Sequence, residues 1–383
     1  MRLNIVFLCL TYLFYFGHMG VIAPYLGVFL DGRGLSSGDI GSLVAIITIA
    51  RLIAPNLWAA FADKSGKSLV IIRVGAMCAF VSFLSLFWAT GYVGIALALA
   101  ISVGFWTSIV PQLEQITLKA IQGDSAYYSR IRMWGSIGFI LMSVVCGWLM
   151  DYYGSEVTLL CSAAMLLSLC VATFLIKGEA SIQHQLNTAS IKNKVLSRPF
   201  LVFIAVMMML QMSFGAYYSF FALYMRDLGF DGRETGWLVS LGVVAEVVIF
   251  VWAGKITQAI GIQRCLVICL IMTALRWGIL AVAPQVLVLL LVSQSIHAFS
   301  FALAHTAAIK FVHEHFGERF QSRGQALYVS ISFGFGGAVG SFIAGQYWQQ
   351  GAGAQTAWLI SVAMAAVGAF IALWLPVKHP LTR

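Results

Sequence analysis

The chain has 383 residues, 61% of them hydrophobic and 10% charged, with a formal net charge of +9 and a mean hydropathy of +0.91. A soluble protein of this size cannot hide so much apolar surface, so the composition indicates an all-α, polytopic membrane protein. The basic residues are scattered over short loops between apolar runs, so the positive charge does not point to nucleic acid.

A spanning helix needs about 20 apolar residues. The pattern predicts twelve. Helices 1 to 6 are expected at 4–29, 39–61, 69–90, 92–116, 131–150 and 156–176. The polar stretch 177–198 is the longest gap between spans and reads as a linker between an N-terminal half (1–176) and a C-terminal half (199–383). Pro199 opens helix 7, which runs to about 225, and helices 8 to 12 follow at 234–255, 264–283, 285–310, 324–347 and 355–376. The first apolar run is long and leads into more spans, so it reads as a retained helix rather than a signal peptide.

Lys and Arg set the expected orientation. With a cytoplasmic N-terminus, 18 of the 23 fall on the inner side, three (Arg33, Arg226, Arg233) on the outer side, and Arg51 and Arg276 within spans. The positive-inside rule then puts both termini in the cytoplasm. The seven cysteines lie in or at the ends of apolar spans, without the tight loop spacing of a disulfide scaffold or zinc site.

A shift of 195 residues aligns the two halves without a gap from about residue 20 to 66, with Gly20 on Gly215, Gly34 on Gly229, Gly41 on Gly236 and Gly66 on Gly261. Two six-helix halves of the same orientation are a parallel repeat of secondary transporters, which place the substrate site at the repeat interface near the midplane. The same shift puts Arg51 on Glu246. The two either neutralise each other, are bridged by substrate, or pair each within its own half.

Glu246 stands in the apolar run Ser240 to Phe250. A charge at bilayer depth costs about 2.5–3.5 kcal/mol on insertion scales, so a basic partner or a proton must offset it. Glu246 is the candidate proton-coupling acid; the plainer alternative is a buried acid that only locks helices together. Arg51, Arg276 and Glu246 sum to +1 when all are ionised and to +2 when Glu246 is protonated, which suits an organic anion. Arg51 is the better substrate arginine, and Arg276 is either structural or substrate-binding. On helix 10, Gln294, His297, Phe301 and His305 fall within about 80° of one face. The two histidines either relay protons or donate to neighbouring helices. His18 in helix 1 and Gln211 and Tyr217 in helix 7 complete the candidate substrate residues, and aromatic side chains there can stack a ring. Glu114, after Pro111, and Arg132, opening helix 5, form a gate pair first and a substrate pair second.

The turn after helix 2, Ala59-Ala60-Phe61-Ala62-Asp63-Lys64-Ser65-Gly66-Lys67, resembles the helix 2–3 signature of the major facilitator superfamily, Gly-x-x-x-Asp-Arg/Lys-x-Gly-Arg/Lys, with Ala59 at its first glycine. The resemblance implies a twelve-helix fold of two pseudo-symmetric halves and a cytoplasmic latch that includes Asp63, Lys64, Gly66 and Lys67. In the copy after helix 8, Gly254 and Gly261 remain and Gln258 replaces the acid. Tyr128 to Phe139, Ser240 to Phe250, Arg276-Trp277-Gly278 and Gln294 to His305 together resemble the phenylpropionate permease branch of that superfamily, which is related to lactose permease and nucleoside:proton symporters. Glu114 with Arg132 is similar to the sugar-binding pair of lactose permease.

The resemblance implies proton-coupled uptake of an aromatic carboxylate by a monomer in a bacterial inner membrane, with proton-coupled nucleoside or sugar transport as the alternative. No metal or cofactor is expected. The sequence has no His-Glu-x-x-His, Walker loop or dinucleotide fingerprint, so an enzyme is not expected either.

Overall fold

The computed structural model describes residues 2–65, 68–122, 124–177 and 191–376. The described residues form helices and turns, with no strand among them. Among them, twelve spans are long and apolar enough to cross a membrane: α1 (Asn4–Gly32), α2 (Ser37–Pro55), α3 (Ser68–Phe87), α4 (Gly91–Ala120), α5 (Tyr127–Tyr153), α6 (Val157–Leu175), α7 (Arg198–Asp227), α8 (Gly232–Ile260), α9 (Ile262–Val282), α10 (Leu287–Phe316), α11 (Glu318–Gly351) and α12 (Ala354–Ala372). The helix of α2 continues to Ser65 and so carries Asp63 and Lys64 in its final turn. The side chains of that turn, and Gly66 and Lys67, lie outside the described residues.

The chain forms two compact units. One comprises Met1–Leu35, Ile49–Gln185 and Gly229–Trp237, the other Ser36–Thr48, Leu186–Leu228 and Leu238–Arg383. The exchanged stretches are related by the repeat, since 231–237 less 195 gives 36–42. The start of α2 therefore clusters with the second unit, and the start of α8 with the first.

Lipid is as apolar as a leucine side chain, so spanning helices associate by close packing and hydrogen bonds rather than by escape from water. In the first unit α1 is held mainly by α5 and α6. Gly20 faces the Phe139 backbone, and Gly138 faces that of Leu13. A methyl group on Gly20 would come within 2.9 Å of Phe139 Cα, a backbone atom that no rotamer change can move. Gly20→Ala should therefore destabilise the unit by about 1–3 kcal/mol, read as a lower thermal midpoint in detergent; an unchanged midpoint would refute this close approach. Pro24 in mid-α1 has no N–H to offer the Gly20 carbonyl one turn earlier. Ser143 Oγ on α5 donates to that carbonyl instead, at 2.9 Å. Between spans of this unit, the Arg33 guanidinium meets Glu156 through Nε at 2.5 Å and Nη2 at 2.7 Å. The hydrogen bonds that Arg33 donates to Glu156 hold its guanidinium above its ordinary pKa.

In the second unit Gly215 of α7 lies against the Gly340 backbone of α11, and the start of α2 lies against the end of α11, where a methyl on Gly41 would sit 2.6 Å from Gly345 Cα.

Interruptions in four of the spans shape the site. α4 breaks at Thr107–Ser108, between helical pieces Gly91–Trp106 and Ile109–Ala120. The break leaves Pro111 in a first turn, where its missing N–H costs nothing. α7 breaks at Phe214, where Gly215 approaches α11. α10 widens into a π segment at Phe299–Leu303, and α11 does so at Val329–Gly336.

Candidate functional site

The second unit gathers α7, α8, α9 and α10 around one buried arginine. Arg276 is fully buried. Its Nη1 lies 2.7 Å from His297 Nδ1, and its Nη2 donates to Gln294 Oε1 at 3.4 Å. Its guanidinium stands 4.3 Å from the ring centroids of both Tyr217 and Trp277. Tyr217 also donates from its hydroxyl to Gln294 Oε1 at 3.2 Å. On the far edge of the imidazole, His297 Nε2 lies 2.5 Å from Glu246 Oε1.

The protons along this chain follow from its chemistry. Guanidinium donates and cannot accept, so His297 Nδ1 must accept and the ring proton sits on Nε2. Nε2–H then donates to the Glu246 carboxylate. The chain Arg276–His297–Glu246 thus runs from a fixed cation, through a neutral imidazole with a single tautomer, to an acid. Its charge is balanced with Glu246 ionised and +1 with Glu246 protonated. A charge taken out of water needs such partners.

α8 supplies both the acid and the space for its partner. Gly242 precedes Glu246 by four residues and so shares its face. A Cβ on Gly242 would lie 3.1 Å from His297 Cδ2, so the glycine lets the imidazole lie flat against α8. His305 belongs to the same helix as His297, and its Nδ1 is 3.2 Å from the Tyr328 hydroxyl of α11. Gln211 is buried on α7, but Tyr217 is the α7 residue that bonds into the cluster.

The first unit holds the other sequence candidates in two groups. Tyr15 of α1 stacks on Trp106 of α4, with centroids 4.4 Å apart and planes 13° apart. His18 stands edge-on to Trp106 at 5.2 Å, and the Arg51 guanidinium of α2 lies over the Trp106 ring at 5.5 Å. His18 Nδ1 and Trp106 Nε1 are buried without a hydrogen-bond partner. Such groups are unusual in a finished core and suit a site that a ligand completes. In the second group Arg132 packs over the Phe16 ring at 3.9 Å, in space that Gly135 leaves open. Glu114 is bonded by Tyr128 and lies within electrostatic reach of Arg132.

The sequence candidates thus divide between the two units. Glu246, His297, Arg276, Gln294, Tyr217 and His305 lie in the second; His18, Arg51, Glu114 and Arg132 lie in the first. Sequence reasoning did not single out Trp106 and Tyr15, and it left Arg276 as either structural or substrate-binding. The available signals were a tryptophan deep in α4 and an arginine within a 21-residue apolar helix. No group of three or more His, Cys, Asp or Glu side chains among the described residues is arranged to hold a metal ion.

The MFS_1 like family model matches residues 5–360. A probable 3-phenylpropionic acid transporter of Escherichia coli is 30% identical over 347 residues, covering 89% of this chain and 90% of its own. A maltose permease of Geobacillus stearothermophilus is 25% identical, covering 90% and 88%. Among solved structures, the nucleoside transporter NupG superposes with a TM-score of 0.84 at 19% identity, covering 99% of this chain and 100% of its own. A peptide transporter superposes with a TM-score of 0.77 at 12% identity, covering 97% of this chain and 94% of its own. The chain belongs to the MFS_1 like family and is a secondary transporter of the major facilitator superfamily, not an enzyme.

Proposed function

We propose that the protein is a proton symporter that imports an aromatic carboxylate such as 3-phenylpropionate, and that Glu246 carries the proton. The observation that carries this reading is the ordered chain from Arg276 through His297 to Glu246. With Glu246 ionised, its carboxylate takes the His297 Nε2–H and balances Arg276. A substrate carboxylate then meets a satisfied, neutral cluster. Protonating Glu246 leaves Arg276 unbalanced and releases the Nε2–H to a stronger acceptor. In this reading a substrate carboxylate takes the place of the Glu246 anion on the His297 Nε2–H. Proton and substrate therefore bind together or not at all, which is the requirement for coupled transport. The Tyr15–Trp106 stack, with Arg51 over it, offers an aromatic and cationic surface in the first unit. The E. coli relative is named for a substrate of this class.

The reading includes two six-helix halves that alternate access by rocking, a monomer, and an inner-membrane location with both termini cytoplasmic. The orientation rests on the 18-to-3 distribution of Lys and Arg. Glu114 and Arg132 act as a gate pair at the inner end.

A proton-coupled nucleoside transporter is the second reading, favoured by the NupG superposition and by the Tyr15–Trp106 stack, which suits a nucleobase as well as a phenyl ring. Proteoliposomes with an inward proton gradient separate the two. The first reading expects accumulation of labelled 3-phenylpropionate and none of its neutral amide. Accumulation of uridine in its place would overturn it.

A further inference from the structure

His297, Phe301 and His305 stand four residues apart on α10. A regular helix would turn eight residues about 80° off line, yet the three rings form a ladder. His297 and Phe301 are stacked at 6.0 Å, and Phe301 and His305 at 6.1 Å with planes 11° apart. The π segment Phe299–Leu303 lies between the histidines and carries Phe301 at its centre. π segments recur at functional positions, and here the wider turn brings the rings into line. A second π segment, in α11, contributes Phe333, whose ring stands edge-on to both Phe301 and His305 at 6.1 Å. Above the ladder stand Glu246 and Arg276, bonded to His297; below it stands the Tyr328 hydroxyl, bonded to His305. His305 is half-buried.

A proton passes between groups in hydrogen-bond contact or joined by one water. Groups that can pass a proton occupy both sides of one position in this ladder, Glu246 and His297 on one side and His305 with the Tyr328 hydroxyl on the other, and that position is a phenyl ring with neither donor nor acceptor. We propose that Phe301 is an insulator: its ring, wedged by Phe333, breaks what would otherwise be a continuous proton path from the Glu246–His297 pair to His305. Phe301 thereby prevents protons from crossing without substrate. It is a positioning residue and carries no proton itself. The inference rests on the reading of Glu246 as the proton carrier.

The test uses full-length protein in proteoliposomes with a trapped pH-sensitive dye and an imposed inside-negative potential. Wild type, Phe301→His, Phe301→Ala and Phe301→Leu are reconstituted at equal density. Without substrate, wild type and Phe301→Leu should be tight. Phe301→His fills the gap with a titratable ring and Phe301→Ala with room for water, and both should raise substrate-free proton entry at least about tenfold. Adding Glu246→Gln to Phe301→His should return the leak to the wild-type level. Proton entry in Phe301→His and Phe301→Ala that stays at the wild-type level would overturn the insulator. A leak of equal size in Phe301→Leu would also overturn it, because loss of packing would then suffice. The parent reading is scored separately, by 3-phenylpropionate-dependent proton entry in wild type, which requires no Phe301 variant.

Discussion

Glu246→Gln should cut accumulation of substrate against a gradient at least about tenfold, the order expected for loss of a positioned proton carrier, while leaving exchange between equal pools near wild type. Glutamine has the shape of the protonated acid and keeps a carbonyl that can accept from His297 Nε2–H, 2.5 Å away in the native cluster. The variant is thus fixed in the state that binds substrate, and only the proton cycle is lost. Accumulation driven by a pH gradient in Glu246→Gln would remove this residue as the coupling acid. Accumulation and exchange lost together would make it a structural or binding group instead.

The second large effect belongs to Arg276. Arg276→Gln removes the donor to His297 Nδ1 and leaves the Glu246 carboxylate without its balancing charge. Breaking one side of a buried ion pair costs about 3–5 kcal/mol, and we expect a loss of that order in the unfolding free energy in detergent. The double variant Arg276→Gln/Glu246→Gln removes both charges and should recover much of the loss, because two residues in one network do not contribute independently. Additive losses would show that Arg276 and Glu246 do not share an electrostatic circuit. Either way Arg276→Gln should bind an aromatic carboxylate far more weakly than wild type, since no cation then lies behind the imidazole.

Much of this architecture is legible in the sequence because membrane solvation imposes simple rules. A backbone that must satisfy itself in lipid forms helices, and the apolar runs mark them. The expected spans and the observed ones agree closely. One difference is α5, expected from residue 131 but helical from Ser125. The segment Tyr128-Ser129-Arg130-Ile131-Arg132 is polar, so an apolar-run criterion cuts it off, yet nothing in it breaks a helix.

The interruptions were not legible. The break in α4 before Pro111 has a local cause, but the bend at Phe214 depends on Gly215 meeting the backbone of α11. Such a contact is set by a residue 125 positions away, beyond any local pattern. The π segment in α10 likewise has no sequence mark, although it is what brings His305 into line with His297.

The site was half visible. Glu246 announces itself as an acid in the middle of an apolar span, but its partner does not. The repeat sets it numerically on Arg51, and nothing in the sequence points to its contact within the second unit, His297, backed by Arg276. A repeat relates positions in two halves and carries no information about which side chain fills the space left by a glycine such as Gly242. Trp106 reads as one more apolar residue until Tyr15, His18 and Arg51 are seen around it.

The most direct measurement of the central claim is proton uptake on substrate binding. Purified protein in weakly buffered detergent solution at mildly alkaline pH is mixed with 3-phenylpropionate, and a pH indicator reports protons taken up. Competition between the substrate carboxylate and the Glu246 anion for the His297 Nε2–H predicts close to one proton taken up per substrate bound in wild type, and none in Glu246→Gln. Saturable binding of 3-phenylpropionate to wild type with no proton uptake would contradict it.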